Sequence, residues 1–397
     1  MLCKANETKK HFRREKCGTL EVFKTRIAVK MKIICNTSVL AEAALNVQKA
    51  VMTKTTMPIL EGILFSTTEN GVKLTGYDLE IGIETTIAAD VIEEGSIIIN
   101  AKTFCDIIRH IPYDKIIFET DEKLQCKIYC GDIEYYMTGI NPKDYPDLPV
   151  IINGKNLDVS YKILKDMIKK TIFSVSVKDV RVIHNGIKFE IKPGELRLVA
   201  IDSHRIAIRK EFTNYNDEEI SFVVPSKTMS EIMKLIPDDE GIVRIGLGRR
   251  HILFEIEGYT IISRLLEGEF MKYETILSST INTAVRLKTK DIISCVERVS
   301  LITSDRFKAP LRLEFKDDEL RISAATALGT ANDKMEVSIN GNDIEIGFAS
   351  RYLLDALRAS EEEEVLIQMT NSLKPVYIVP TSGESFVYVI LPVRLAE

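Results

Sequence analysis

The chain has 397 residues, more than one ordinary domain holds, and length alone favours two to three. Hydrophobic residues make up 45% and charged residues 28%, the balance of a soluble globular protein, and no apolar run approaches the ~20 residues of a membrane span. The net charge of −5 is the wrong sign for a surface that binds nucleic acid throughout, so any such role needs positive charge concentrated in one place.

Residues 1–30 carry nine Lys/Arg and three Asp/Glu and have no apolar segment, so they are not a secretory signal. The first helical pattern covers about Ser38–Met52. Strand-like runs Ile63–Ser66 and Val72–Thr75 follow, around an Asn70-Gly71 turn. A strand at Ser96–Asn100 then leads into Lys102-Thr-Phe-Cys-Asp-Ile-Ile-Arg109. Its basic, apolar and acidic positions recur in Lys227-Thr-Met-Ser-Glu-Ile-Met-Lys234 and in Arg351-Tyr-Leu-Leu-Asp-Ala-Leu-Arg358. The three starts lie 125 and 124 residues apart, each behind a strand-like run, the later two being Ser221–Val224 and Ile344–Phe348. In each segment the charged positions share one helical face and the apolar positions the other.

A second helix family interleaves at about Ser160–Lys170 and Lys288–Ile302, matching Ser38–Met52. Each member again precedes alternating runs: Gly186–Ile191 and Leu196–Ala200, then Leu311–Phe315 and Leu320–Ala324. The chain is therefore expected to be three copies of a unit of roughly 120 residues, each of two half-units of one helix plus several strands. Three unrelated domains with accidental likeness would have to repeat an eight-position pattern at near-constant spacing. The fold class is α+β, helices packed on antiparallel sheet. The expected limits are an extension at 1–30 and domains at 31–152, 153–277 and 278–397.

Charge follows the helices. The six helical spans hold fourteen basic and seven acidic residues, a net of +7 on a chain of −5. One charged helix face is usually just solvated, but a bias over six repeated helices asks for a common partner. Repeats meeting head to tail at a fixed rotation close into a ring, and a ring lined by such helices can surround a polyanion without reading bases.

At this point the sequence resembles the bacterial DNA sliding clamp family, the beta subunit of DNA polymerase III. The resemblance rests on Met31-Lys-Ile-Ile, Lys54-Thr-Thr-Met-Pro-Ile-Leu-Glu-Gly-Ile-Leu, Tyr145-Pro-Asp-Leu, Asn185-Gly186 and Ala200-Ile-Asp-Ser-His-Arg-Ile-Ala207. Gly268-Glu-Phe-Met-Lys-Tyr273 matches the middle domain's closing motif with Met271 where proline is usual, and Val389-Ile-Leu-Pro-Val-Arg-Leu395 matches the carboxyl end. It covers about Met31 to Leu395. It implies a crescent that dimerises into a ring of six domains with twelve helices facing the hole, encircling duplex DNA and conferring processivity on the replicative polymerase. Lys54, Lys178 and Arg181 fall at or near positions where the family touches DNA. The charged helix positions Lys102, Arg109, Lys165, Lys169, Lys227, Lys234, Arg298 and Arg351 join them. Tyr135 and Met137 of one subunit are expected to face Leu301 and Ile302 of the other.

The resemblance also implies a hydrophobic cleft between domains two and three that receives short peptides from polymerases, the clamp loader, and repair and translesion proteins. Its lining maps to His184, Ile201, His204, Arg205, Ile206, Met271, Ile276, Pro375, Val389, Leu391 and Pro392. His184 and Met271 depart from common family choices. Residues 1–30 lie outside the match; a basic DNA-binding arm is one reading, and a translation start at Met31 is the simpler one.

Enzymatic readings have little to stand on. The seven cysteines are odd in number and form no C-x-x-C, which fits reduced thiols in the cytoplasm, and the resemblance implies association with the nucleoid. Asp202 and His204 have no third metal ligand at a recognisable spacing, and Gly246-Leu-Gly248 lacks the later glycine and helix of a dinucleotide loop. No catalytic residue, metal or cofactor is expected. The competing ideas are a two-metal nuclease, which needs clustered carboxylates, and a monomeric peptide-binding scaffold.

Overall fold

The computed structural model describes residues 30–151, 155–176, 180–278, 280–303 and 309–395. The expectations for residues 1–29 and for Lys178 fall outside them.

Six principal helices each grow out of the end of a strand: α1 (Thr37–Val47), α2 (Ala101–Ile108), α3 (Tyr161–Ile172), α4 (Ser226–Leu235), α6 (Thr289–Ser300) and α7 (Ser350–Ser360). A short helix, α5 (Glu274–Leu277), lies between the second and third units. Three of the starts are capped by the side chain that ends the strand. Asn36 accepts from the amides of Ser38 and Val39, Asn100 from Thr103, and Ser160 from Ile163. Each such cap stabilises its helix by roughly 1 kcal/mol. The first helix is shorter than its periodicity: α1 ends at Val47 and runs on as a 3-10 turn over Gln48–Ala50. Gly76 of the neighbouring strand passes there so closely that a Cβ would meet the Val47 carbonyl at 2.5 Å. The second helix stops at Ile108, four residues before Pro112.

The strands form four antiparallel sheets of five, eight, nine and four. The two larger sheets run through unit boundaries. Strand Ile81–Ile87 of the first unit pairs with Tyr259–Arg264 of the second, Ile83 opposite Ile261. Strand Arg205–Phe212 of the second pairs with Phe386–Ile390 of the third, Ala207 opposite Tyr388. The smaller sheets end in strands with no neighbour on one side, Ile133–Thr138 in the first unit and Gly329–Glu336 in the third.

One apolar core serves the first two units and a second serves the third. In the first, Phe65, Phe104 and Phe118 are fully buried, with ring centroids 5.0–6.1 Å apart. A third, smaller cluster lies at the boundary of the second and third units. Cys126 and Cys130 share the inner face of strand Gln125–Cys130, as their spacing requires.

Candidate nucleic-acid interface and peptide cleft

The helices hold their apolar stripes inward and their cations outward. Lys102 and Arg109 on α2, Lys227 and Lys234 on α4, and Arg351 on α7 are all exposed. Most cations of this face are already paired, four of them by acids that sequence spacing did not reveal. Lys165 meets Asp238 at 2.5 Å, and this contact holds the Asp238 carboxyl below its usual range. Lys169 pairs with Glu361, whose left-handed φ of 54° ends α7. Lys227 pairs with Asp78, Lys234 with Glu231 at 2.8 Å, and Arg351 with Asp355 at 3.8 Å. Arg298 meets Asp333 at 2.6 Å; burial pushes that carboxyl up, and the guanidinium outweighs it and holds it down. Lys54, Lys102 and Arg109 make no ion pair among the described residues. Arg181 opens the turn Val182–Asn185. The net +7 is thus a thin positive surface, since exposed pairs such as these are each worth about 0–1 kcal/mol and open easily.

The cluster between the second and third units brings together five residues of the expected cleft. Ile201, Ile206 and Val389 are buried in it, and Met271 and Ile276 pack against them half-buried. His184 is buried beside it, its ring edge-to-face with Phe270 at 5.4 Å. The Tyr377 hydroxyl donates to the Ile276 carbonyl at 2.5 Å and ties down the segment that forms one wall. Leu391 is 41% exposed, and its amide donates to the His204 carbonyl at 2.8 Å. Pro375 and Pro392 are half-buried, next in sequence to Val376 and Leu391. The arrangement is an apolar patch whose opposite side is closed by protein.

One of the expected lining residues, Arg205, turns its side chain elsewhere. Strand alternation puts Ile206 and Ile208 in the cluster and Arg205, Ala207 and Arg209 on the opposite face. Arg205 is 6% exposed and reaches into the helices, bonded to Asp202 at 2.9 Å and Asp355 at 2.6 Å. Its guanidinium lies over Phe173 and Tyr352, 5.4 and 4.8 Å from their ring centres. His204 is exposed and stacks on Tyr352 at 5.1 Å. Arg205 therefore couples α3 to α7 across the unit boundary and does not line the apolar patch.

At the free edges, Tyr135 is 37% exposed and Met137 packs half-buried on the first core. Leu301 is 86% exposed, and Ile302 is half-buried against the second core. Gly329 sits beside it, where a Cβ would be 3.5 Å from the Ile302 Cδ1.

Three family models match in sequence: the N-terminal domain of DNA polymerase III beta subunit over residues 31–149, the central domain over 158–272 and the C-terminal domain over 274–394. The chain belongs to the DNA polymerase III beta subunit family. It is 30% identical over 356 residues to a beta sliding clamp of Staphylococcus epidermidis, covering 87% of this chain and 94% of that one. A crystal structure of a DNA polymerase III beta subunit from Eubacterium rectale superposes with a TM-score of 0.88 at 36% identity, covering 91% and 99% of the two chains. The sliding clamp of Bacillus subtilis superposes at 0.90 with 29% identity, covering 92% and 100%.

In this clamp-family chain, sequence reasoning missed features that only the third dimension supplies. Tyr136, 66% exposed, and Leu328, 67% exposed, stand at the two free edges beside the residues that were singled out. Exposure of a large apolar side chain on an unpaired edge is the signal, and it needs the sheet order to be read. Among the described residues no group of three or more His, Cys, Asp or Glu could hold a metal ion, and no helix is long and apolar enough to cross a membrane.

Proposed function

We propose that two copies of this chain close head to tail into a ring around duplex DNA, without catalysis of their own. The ring holds the replicative polymerase's catalytic subunit on its template and so confers processivity. The clamp loader and repair and translesion proteins dock by short peptides in the cleft. In this reading the domains run 31–152, 153–277 and 278–397, and the exposed helix cations face the hole.

The observation that carries the reading is the repeated junction. At each internal boundary, one strand of a half-unit hairpin pairs with the last strand of the next unit. The repeat offset makes Ile83, Ala207 and Ala331 equivalent, each lying opposite the centre of its own hairpin at Gly76, Ala200 and Ala324. Likewise Tyr135, Ile261 and Tyr388 are equivalent, opposite Ile128, Phe254 and Ile378. Two of the three pairings occur inside the chain, Ile83 with Ile261 and Ala207 with Tyr388. The leftover pair is Ala331 with Tyr135 of a second copy. The same register sets Gly329 opposite Met137 and next to Ile302, which supports the expected meeting of Met137 with Ile302.

The test is a disulfide across that joint. A Thr330→Cys/Tyr136→Cys variant should form a covalently closed dimer on mild oxidation, seen on a non-reducing gel. Thr330→Cys/Ile133→Cys, three positions out of register, should cross-link far less. Equal yields from the two pairs would remove the proposed joint. The cleft has its own measurement: Ile206→Arg should abolish binding of a polymerase-derived peptide while leaving the dimer intact.

A further inference from the structure

Strand Arg205–Phe212 presents one column of side chains to the face that carries the apolar cluster between the second and third units. Ile206 and Ile208 lie in the cluster, and the two-residue period of the strand places Lys210 and Phe212 next on the same face. Lys210 is half-buried and Phe212 is 93% exposed. A lone apolar side chain on a surface is ordinary. Phe212 is set apart by its place: it ends a column that begins in the peptide cleft, with a cation in between.

Lys210 holds a partner that it can exchange. Its amide donates to the Ser385 carbonyl at 2.8 Å, which fixes the backbone. Its ammonium group meets Glu384 at 2.8 Å, and that carboxylate is 83% exposed, beside Gly383 with its left-handed φ of 74°. An ion pair so exposed opens readily in water. The other acids of this rim are committed. Glu190 pairs with Lys188 at 2.6 Å and accepts from the Tyr273 hydroxyl at 2.6 Å. Glu195 bridges Lys192 at 3.2 Å and Arg197 at 2.8 Å. Arg197 lies opposite Lys210 in the neighbouring strand and donates to the Tyr273 hydroxyl at 3.2 Å. Tyr273 belongs to the apolar cluster, so rim and patch are continuous. Four cations, Lys188, Lys192, Arg197 and Lys210, thus face three carboxylates, and release of Glu384 leaves Lys210 open to an outside acid. Successive positions of the column are about 7 Å apart, and an extended peptide laid along it advances at the same rate, so every second side chain meets one of them.

We propose that peptides docking in the cleft continue along this column, with an acidic residue on Lys210 and an aromatic residue on Phe212. The occupant is an extended segment that reads apolar anchor, any, acid, any, aromatic, in one chain direction or the other. This rests on the cleft reading above and adds to it a specificity that the apolar patch alone does not supply.

The experiment is anisotropy of three labelled peptides titrated with the full-length protein. One is the polymerase-derived peptide. The others are that peptide lengthened by Ser-Glu-Ser-Phe at its carboxyl end or by Phe-Ser-Glu-Ser at its amino end. One lengthened form should bind about tenfold more tightly than the short one, from one exposed ion pair and one aromatic contact. Phe212→Ala and Lys210→Glu should each reduce that gain while the short peptide binds as before. Lysine in place of the added glutamate should recover the gain on Lys210→Glu. Lengthened peptides that both bind no better than the short one, or a gain that survives both substitutions, would overturn the extension and leave the cleft standing. A short peptide that does not bind the unsubstituted protein would sink the cleft reading and the extension with it. A changed oligomeric state in Phe212→Ala, by light scattering, would make Phe212 a contact between copies of this chain and overturn its assignment to a peptide.

Discussion

Asp78 and Asp202 hold corresponding turns in the same way. In each, Oδ1 accepts from two backbone amides just ahead, Glu80 and Ile81 in one, His204 and Arg205 in the other. They differ in the cation taken by the second oxygen, Lys227 from a helix or Arg205 from the strand itself. Arg205 is the more committed. Truncation by Arg205→Ala leaves Asp202 and Asp355 facing each other across the second junction, and should destabilise the protein by about 2–4 kcal/mol in denaturant unfolding. An unshifted midpoint would mean that the pairs are no better than water. Burial governs the cysteines too. It pushes the Cys35 and Cys105 thiols up to about 12, and raises Cys126, Cys130 and Cys295 as well. At pH 8 all five are neutral and shielded, so a chain starting at Met31 should take up no iodoacetamide when native and five equivalents in denaturant, by mass spectrometry. Native labelling of any of them would show an open core.

At the scale of elements, the repeat made much of the fold legible. Strands Ser96–Asn100 and Ile344–Phe348 have the limits their alternation suggests, and the eight-position segments became α2, α4 and α7 with their charges outward. What periodicity cannot give is the partner across space. Asp238, Glu361 and Asp78 sit in loops or at a helix end, distant in sequence from Lys165, Lys169 and Lys227. The cation face was therefore foreseen and its neutralisation was not. The cleft divides similarly: Ile201, Ile206, Met271, Ile276 and Val389 converge, whereas Arg205 obeys the two-residue period of its strand and points away. The α3 face yields its own prediction. Lys165→Glu/Lys169→Glu removes two cations and sets new repulsion against Asp238 and Glu361, so DNA retention should fall while the dimer persists. Nicked circles held as well as by the unsubstituted protein would show that α3 does not line the hole.

For the whole molecule, one rule of assembly is used twice within the chain and left unsatisfied at its ends. The internal joints are apolar at their centres, with Ile83 against Ile261 and Ala207 against Tyr388. The end strands Ile133–Thr138 and Gly329–Glu336 have no buried residue, unlike the strands of the internal joints. On the proposed ring, a joint built from them is the one expected to part and admit DNA. A net charge of −5 on the chain and a thin positive helix face suit a partner kept by enclosure, since tight phosphate contacts would stop it sliding. The decisive measurement compares retention on circular and linear duplex of equal length after loading, in salt high enough to screen direct binding. The account predicts lasting retention on circles and rapid loss from free ends, with loss abolished when the ends are blocked. Equal loss from both forms would contradict it.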